Sequence, residues 1–403
     1  MSLNTGILDA YELLKDELRL IQRYIHAHPE VGWAETNTTN YILDILKSNG
    51  VKARKLEGTG VIADFEVSGA KDVVALRADI DALPIMETSG VPWSSEIPGI
   101  SHSCGHDFHA TSVLGVGLLL ARNPQLLEKL HNKSSVRLIF QPAEELNPSG
   151  SPVVIQQGGL DDVSRIYALH VEPKLDVGKV GITPGPITSA ADLIEIRIKG
   201  SGGHTSRPHL TADTVHILSS VVTTIPLVFS RIFDPRNVVS VSWGSIHAGS
   251  AHNAVPKEGS LLGTVRTTSL EAWEEVEDVI RDLISNIVEP LTKSGKAKVE
   301  VNYTRGVPPV INDPDETERV ENAITSILGN DALVHVERSL GGEDFSWYLL
   351  HKQPDGRKIV GAMARLGVHT PGTPGSDIHQ SGLIVDEKCL DYSVPFLTRL
   401  LYE

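Results

Sequence analysis

The chain has 403 residues, which at about 150 residues per domain predicts two or three domains with sizeable cores. Its hydrophobic content of 40% and its charged content of 22% are ordinary for a globular enzyme. The formal net charge of −15 argues against a nucleic-acid-binding protein, because such a protein needs a basic surface to meet phosphates.

The N-terminal region carries no pattern of a secretory or membrane segment. The stretch from Met1 to Leu20 has several acidic residues and no apolar core, unlike a signal peptide. No stretch of the chain reaches the roughly 18 apolar residues of a membrane span. Cys104 and Cys389 are too few for a disulfide framework and predict reduced thiols. We therefore expect a cytoplasmic protein without a membrane partner.

The first 185 residues alternate between helical and strand patterns. Residues 9–28 and Thr38–Lys47 repeat apolar side chains at helical spacing. Short apolar runs typical of buried strands lie at Gly60–Phe65, Val73–Leu76, Val136–Phe140 and Ile166–Leu169. Residues Gly105–Ala121, which are mostly small or apolar, predict a helix between them. This alternation predicts an α/β domain with a mostly parallel sheet.

The middle of the chain has a different pattern. Apolar residues alternate from Ala191 to Lys199 and predict a strand, which a glycine-rich loop with His204 follows. The later predicted elements are a helix, two strands, a helix and a strand, at Thr211–Pro226, Val238–Ile246, Glu258–Arg266, Leu270–Ile287 and Ala297–Tyr303. The order β-α-β-β-α-β is typical of a ferredoxin-like domain.

The α/β pattern resumes after this middle region. Helices are predicted at Pro314–Leu328 and Leu390–Tyr402, on the far side of Pro308. The middle domain is therefore inserted into the first one. We predict a split catalytic domain of residues 1–187 and 306–403, and an inserted domain of residues 188–305.

Polar side chains follow three of the predicted strands in the first domain. They are Asp79 and Asp81, then Glu144 and Glu145, and then His170. Because the carboxyl ends of parallel strands meet at one edge of the sheet, we expect these groups to lie close together. The segment Cys104-Gly-His106 precedes a helix and can reach the same edge. The sequence thus predicts a metal site there.

Cys104 has two possible roles beside these histidines. It could be a metal ligand, or it could be a nucleophile with a histidine as its base. The carboxylates nearby oppose formation of a free thiolate and favour the metal site. Thiolate and imidazole ligands suit zinc, and the carboxylate of Glu145 also suits manganese. Glu144 next to it can serve as a general base for a water molecule.

Each of these residues also has an ordinary structural interpretation. Paired glutamates such as Glu144 and Glu145 are often solvated loop charges, and His170 could be a satisfied core histidine. The aspartates could cap a loop, His204 could be a loop histidine, and Arg266 could be an exposed strand residue. For the groups that follow the predicted strands and for the Cys104 segment, convergence at one edge of the sheet favours a catalytic or metal-binding role. For His204 and Arg266, the sequence alone favours the ordinary structural interpretation.

Ordered motifs along nearly the whole chain carry a family resemblance. They are His26-Ala-His-Pro-Glu30, Arg77–Pro84, His102–Asp107, Gln141–Glu145, Gly202-Gly-His204, Asn253–Pro256, Gly263–Arg266 and Gly342–Phe345. The chain resembles the aminoacylase and carboxypeptidase group of cocatalytic metallohydrolases. Within that group it is most similar to the amidohydrolase branch of hippurate hydrolases, auxin-conjugate hydrolases and N-acetyldiaminopimelate deacetylases.

The resemblance implies a site with two divalent metal ions per subunit. The implied ligands are Cys104, His106, Glu145, His170 and His379. Zinc or manganese is expected, and cobalt or nickel is also compatible. Glu144 matches the general base, and Asp81 matches a carboxylate that orients a metal ligand. Asp79 falls where other branches have a ligating histidine, and we do not count it as a ligand.

The inserted domain resembles a lid and dimerisation domain, which implies a homodimer or a dimer-based tetramer. His204 matches a histidine that stabilises the oxyanion in the partner subunit's active site. Asn253 and Arg266 match groups that hold the amide and the carboxylate of the substrate.

The expected reaction is hydrolysis of an N-acyl amino acid, or a similar amide, to a carboxylic acid and a free amino acid. A metallo-dipeptidase or aminopeptidase, and a non-catalytic binding protein, are the alternatives. The segment Leu146–Pro152 departs from the usual glycine-rich loop after the double glutamate and leaves the substrate's identity open.

Overall fold

The computed structural model of the chain describes residues 2–130, 133–292 and 297–403. It contains two compact units. The large unit comprises Met1–Gly185, Ile311–Glu337 and Trp347–Glu403, and the small unit comprises Pro186–Val310 and Arg338–Ser346.

The helices and strands are numbered in chain order. The helices are α1 (Leu3–Glu12), α2 (Lys15–Ala27), α3 (Thr36–Ser48), α4 (His106–Arg122), α5 (Pro124–Glu128), α6 (Ser151–Gln156), α7 (Thr214–Ile232), α8 (Leu270–Thr292), α9 (Pro314–Leu328), α10 (Ser346–Leu350) and α11 (Leu390–Leu400). The strands are β1 (Lys52–Lys55), β2 (Val61–Phe65), β3 (Asp72–Asp79), β4 (Ser134–Gln141), β5 (Val163–Asp176), β6 (Val180–Gly181), β7 (Gly185–Pro186), β8 (Ala191–Gly200), β9 (Gly203–His204), β10 (Ser240–Ala248), β11 (Ala254–Val255), β12 (Glu258–Arg266), β13 (Ala297–Val307), β14 (Ile311–Asn312), β15 (Leu333–Val334) and β16 (Val360–His369).

The large unit is built on an eight-stranded sheet with the order β1-β2-β4-β3-β5-β16-β6-β15. Strand β3 pairs in parallel with β4 and β5, and β5 pairs in parallel with β16. Strand β2 runs antiparallel to β1 and β4. The loop between β1 and β2 is too short for a crossover, so this edge must be antiparallel. The predicted mostly parallel α/β sheet is confirmed.

Helix α4 lies in the core of the large unit. Every residue from His106 to Leu120 is buried, and the helix contacts β3, α2, α3 and α11. A helix that is buried on all sides needs small and apolar residues around its whole circumference. The predicted helix Gly105–Ala121 is therefore observed, with its start at His106 and its end at Arg122. Gly105 precedes it in a left-handed conformation.

The small unit contains a four-stranded antiparallel sheet with the order β10-β12-β8-β13. Ile194, Ile196 and Ile198 alternate along β8 and are buried, whereas Leu193 and Arg197, which point to the other face, are exposed. Helices α7 and α8 contact this sheet and share its hydrophobic core. The order of strands and helices confirms the predicted ferredoxin-like arrangement.

The boundaries of the two units differ from the predicted ranges. Residues 186–187, 306–310 and 338–346 belong to the small unit, although we predicted 1–187 and 306–403 to be entirely catalytic. The reason lies in long-range hydrogen bonds. The N–H of Val310 donates to Oγ1 of Thr188 at 2.9 Å. The N–H of Ser189 donates to the carbonyl of Gly341, and the Arg266 guanidinium donates to the carbonyl of Leu340.

Helix α7 is the one candidate membrane span within the described parts of the chain. By length and composition alone, its 19 residues could cross a membrane. Ile217, Val221, Ile225 and Phe229 on one side of this helix are buried in the core of the small unit. Core helices have the same composition, so this helix is weak evidence for a membrane span.

Candidate metal centre

The large unit brings the five predicted metal ligands together. The Sγ atom of Cys104 lies 3.6 Å from Nε2 of His170. Oε1 of Glu145 lies 4.0 Å from Nε2 of His106 and 2.9 Å from Nε2 of His379. We call these residues the ligand cluster.

The donor atoms within the ligand cluster form overlapping groups. Those of Cys104, His106 and His170 lie within 4.8 Å of one another, and so do those of Cys104, Glu145 and His379. A third such group joins His106, Glu145 and Glu144. Because the groups share members, the donors form one connected cluster.

The chemistry of the ligand cluster fits a transition-metal ion. Nε2 of His106 is buried and has no hydrogen-bond partner among the described residues. An imidazole nitrogen buried in this way is costly unless a ligand satisfies it. A thiol, imidazoles and a carboxylate together suit zinc, manganese or related divalent ions.

Two of the histidines in the cluster are oriented by hydrogen bonds on the opposite side of the ring. Nδ1 of His106 lies 3.2 Å from Oδ1 of Asp81, and Nδ1 of His170 lies 2.7 Å from the carbonyl oxygen of Val171. A carbonyl oxygen only accepts, so Nδ1 of His170 carries the proton and its Nε2 lone pair faces Cys104. Oδ2 of Asp81 also accepts from the N–H of Glu145 at 3.0 Å, so Asp81 orients two members of the cluster.

Gly105 allows Cys104 and His106 to lie on either side of one tight turn. Its φ is +79°, and an added Cβ would lie 2.6 Å from Cγ2 of Val171. Only glycine adopts this conformation without cost and leaves room for the valine.

The turn that carries Glu144 and Glu145 depends on a glutamate that the sequence analysis missed. Ala143 in this turn has a φ of +50°, and its N–H donates to Oε1 of Glu35 at 2.7 Å. Oε2 of Glu35 accepts from the Thr59 hydroxyl at 2.8 Å. Burial raises the pKa of the Glu35 carboxyl. A contact across 108 positions leaves no signal in the local sequence.

His379 reaches the cluster from the loop after β16. Its φ is +60°, which is uncommon for a residue other than glycine, and its N–H donates to the carbonyl of Ser103 at 2.7 Å. The hydrogen bond to Glu145 raises the pKa of His379. The backbone of the Cys104 segment therefore helps to place a histidine from a distant part of the chain.

The environment of Cys104 opposes a free nucleophilic thiolate. Burial raises the pKa of its thiol to about 12, although the nearby His106 acts in the opposite direction. Such a thiol stays protonated at neutral pH unless a bound cation stabilises the thiolate. Burial also lowers the pKa of His170, which keeps the neutral form that binds metals.

A second buried polar group lies beside the cluster. Asp107 accepts from Nε2 of Gln22 at 2.6 Å and lies 2.8 Å from Nδ1 of His26. Nε2 of His26 lies 3.1 Å from Oε1 of Glu87.

His102, which is 3% exposed, has no hydrogen-bond partner at either ring nitrogen among the described residues.

The predicted substrate residues lie in the small unit. His204 is in β9 and Asn253 immediately precedes β11, which pairs with β9. The N–H of Ser206 donates to Nδ1 of His204 at 3.1 Å, so a neutral His204 carries its proton on Nε2. Arg266 ends β12, and its Nη1 donates to the carbonyl of Leu340 at 2.5 Å. The structure thus brings His204 and Asn253 together, and Arg266 lies on another strand.

Comparison with protein families identifies one match that covers most of the chain. Residues 75–403 match the profile of peptidase family M20/M25/M40.

Similar sequences and structures agree with this match. A Bacillus subtilis (strain 168) protein named N-acetyl-L-cysteine deacetylase is 34% identical over 386 residues, which are 95% of this chain and 87% of that protein. The solved structure of a Bacillus subtilis protein described as a dinuclear metal-binding peptidase from the M20 family is 30% identical. It has a TM-score of 0.81, with 97% of this chain and 98% of that chain covered.

Another relative is much longer than this chain. A Rhodococcus jostii (strain RHA1) protein with a provisional glutamate–cysteine ligase name is 41% identical over 388 residues, or 96% of this chain. This chain spans only 46% of the length of that protein.

Proposed function

This chain belongs to peptidase family M20/M25/M40, and we propose that it is a metal-dependent amidohydrolase. It cleaves an N-acyl amino acid, or a similar amide, to a carboxylic acid and a free amino acid. The observation that carries the proposal is the ligand cluster, in which a buried thiol, imidazoles and a carboxylate lie close together next to Glu144. The deacetylase name of the Bacillus subtilis relative supports an N-acyl substrate.

The ligand cluster would hold two divalent ions through Cys104, His106, Glu145, His170 and His379. Zinc or manganese suits these donors, and cobalt or nickel is compatible. When bound, such ions act as Lewis acids that lower the pKa of a water molecule and polarise the scissile carbonyl. Asp81 keeps the Nε2 atom of His106 directed at the cluster through its hydrogen bond to Nδ1.

Glu144 is the general base in this proposal. Its donor oxygen lies within 4.8 Å of donor atoms of His106 and Glu145, so it is close enough to reach a water molecule between them. Glu144 takes the proton of the attacking water and delivers it to the nitrogen of the leaving amino acid. The same carboxylate thus serves both halves of the reaction.

The small unit supplies the groups that we assign to the substrate. His204 donates from Nε2 to the oxyanion that forms at the attacked carbonyl, since its Nδ1 already accepts from Ser206. Asn253 holds the amide, and Arg266 holds the carboxylate of the amino acid. We propose that His204 acts in the partner subunit of a cytoplasmic homodimer, or of a dimer-based tetramer, formed through the small unit.

The general base is tested with Glu144→Gln. This variant should keep the metal content of the parent and lose about 10²- to 10⁴-fold in kcat, because the amide cannot accept the proton. Metal analysis and steady-state kinetics measure the two quantities. Glu172→Gln is a matched control, because Glu172 accepts from the N–H of Lys174 and belongs to none of the candidate metal groups in the described residues. Near-parental turnover in Glu144→Gln would refute the mechanism.

A peptidase activity at the same site is the second candidate. The M20 relative of known structure is described as a peptidase, which favours testing it. A panel of N-acetyl, N-benzoyl and longer N-acyl amino acids should be compared with unmodified dipeptides, with and without chelator. Faster cleavage of the dipeptides would favour the peptidase. Activity that survives complete metal removal would contradict both candidates and support a thiol-based hydrolase.

A further inference from the structure

A chain of buried hydrogen bonds runs behind the ligand cluster to the peptide next to His170. Nη1 of Arg77 donates to Oδ2 of Asp79 at 2.6 Å, and Oδ1 of Asp79 lies 2.6 Å from Nδ1 of His109. The N–H of Val171 donates to Nε2 of His109 at 2.8 Å. Arg77, Asp79 and His109 are at most 2% exposed.

These contacts determine where the proton of His109 lies. Nε2 accepts from a backbone N–H, so this nitrogen carries no proton. The neutral ring therefore has its proton on Nδ1 and donates it to the Asp79 carboxylate. Both ring nitrogens are already engaged, so His109 is not free to bind a metal, although it lies within 4.8 Å of donor atoms of Asp79 and His106.

His109 holds the segment that orients His170. His109 accepts a hydrogen bond from the N–H of the peptide that joins His170 to Val171. The carbonyl of Val171 in turn accepts a hydrogen bond from Nδ1 of His170 at 2.7 Å. The Val171 side chain occupies the space that a Cβ on Gly105 would need. Val171 is thus held at its N–H and packed at its side chain, and its carbonyl in turn directs Nε2 of His170 at Cys104.

We propose that Asp79 and His109 are a positioning pair for His170. Without touching the metal, they set the affinity of the metal position that includes Cys104 and His170. Asp79 keeps the proton of His109 on Nδ1, and His109 therefore offers Nε2 to the peptide that carries the ligand. This inference rests on the proposed function, because it requires a metal ion in the ligand cluster.

Two substitutions of His109 separate its two hydrogen bonds. The amide of asparagine reaches about as far as Nδ1, so H109N can still donate to Asp79 but cannot reach Val171. The amide of glutamine reaches about as far as Nε2, so H109Q can still accept from Val171 but loses the contact with Asp79. The positioning role predicts that H109N weakens metal binding more than H109Q does.

Cobalt binding is the readout, because a cobalt–thiolate absorption band reports specifically on the position that contains Cys104. Co²⁺ is titrated into the full chain after treatment with chelator and dialysis. H109N should bind Co²⁺ about 10- to 100-fold more weakly at the thiolate position than the parent. H109Q should stay close to the parent.

Tyr167→Phe is the matched control. Tyr167 is a buried residue of the same strand as His170, and its hydroxyl donates to the Glu316 carboxylate. The control loses a buried hydrogen bond and should be less stable to heat, with unchanged cobalt affinity. A parallel loss of affinity in the control would mean that general destabilisation explains the effect, and would contradict a positioning role.

The possible failures are distinguishable. A parent chain that binds no Co²⁺ contradicts the proposed function, whereas parental affinity in a folded H109N contradicts only the positioning role. If circular dichroism shows that H109N does not fold, H109Q decides the question. A folded H109Q that loses about tenfold or more in affinity would overturn the inference.

Discussion

Gly105 shows how one residue controls two donors of the ligand cluster. It lies between Cys104 and His106 with a φ of +79°, and its missing Cβ leaves room for Val171. A side chain at this position would strain the backbone and push against Val171 as well. Since that valine is bonded to His170 and His109, the disturbance would reach a third donor.

We predict that Gly105→Ala destabilises the large unit by about 1–3 kcal/mol, because backbone strain and overpacking add together. It should also weaken metal binding. Gly99→Ala is the matched control, since Gly99 has the same φ of +79° but no atom within 4 Å of an added Cβ. Thermal unfolding and cobalt titration of both variants measure the effects. Equal behaviour of the two variants would show that contact with Val171 is unimportant.

At the scale of elements, a buried ion-pair network joins α2 to α4. His26 of α2 lies between Asp107 of α4 and Glu87 of the segment that joins β3 to α4. Burial disfavours the charged ring, but Asp107 and Glu87 outweigh it and raise the pKa of His26 to about 10. Burial likewise opposes ionisation of Glu87, but the hydrogen bond from His26 and other donors lower its pKa to about 2.

These shifts predict the pH range in which the network stabilises the fold. His26 has a raised pKa, so its contribution is complete below about 6.5 and is lost as the pH rises toward about 10. Glu87 has a lowered pKa, so its contribution is present above about 4.5 and is lost as the pH falls toward about 2. The network should stabilise most between about pH 4.5 and 6.5.

His26→Gln tests this range. The variant cannot carry the charge and leaves Asp107 without its cationic partner, which costs about 3–5 kcal/mol where the pair is fully formed. Its thermal midpoint, measured in chelator, should fall furthest below that of the parent near pH 5.5 and approach it near pH 10. If the difference in thermal midpoint between the variant and the parent does not change with pH, this result would contradict the charged state that we assign to His26.

At the scale of the whole molecule, all donors of the ligand cluster belong to the large unit. Cys104, His106, Glu145 and His170 come from its first segment, and His379 comes from its last. A metal ion bound to them would link parts of the chain that are far apart in sequence. Metal binding should therefore stabilise the large unit and leave the small unit unaffected.

Calorimetry with and without chelator tests this expectation. Chelator should lower the unfolding temperature of the large unit. The corresponding loss in the free energy of unfolding is about 2.7 kcal/mol if the metal was present at 100 times its Kd. The transition of the small unit should not move. Cys104→Ala removes a ligand, so its large-unit transition should respond less to chelator. An equal response in the parent and in Cys104→Ala would contradict a metal position that includes this cysteine.

Much of the architecture was predictable from the sequence because it depends on local patterns. A mostly small and apolar composition identified the core helix α4, and short apolar runs identified the strands of the parallel sheet. Alternating and helical periodicities identified the order of elements in the small unit. The compact units place segments 306–310 and 338–346 with the small unit, unlike the predicted ranges, because hydrogen bonds from distant residues attach these segments to it.

By itself, the sequence determined most of the chemical types that meet at the ligand cluster, since only Gly105 separates Cys104 from His106 and polar groups follow the predicted apolar strand runs. The strand that carries His170 continues beyond it to Asp176, so His170 lies within β5 and not at the predicted strand end. His379 came only from the family resemblance, because no local pattern distinguishes it among 16 histidines. Tertiary structure alone decided which atoms orient the donors. Glu35 contacts Ala143 across 108 positions and His109 contacts Val171 across 62, and such contacts depend on folding in three dimensions rather than on local sequence.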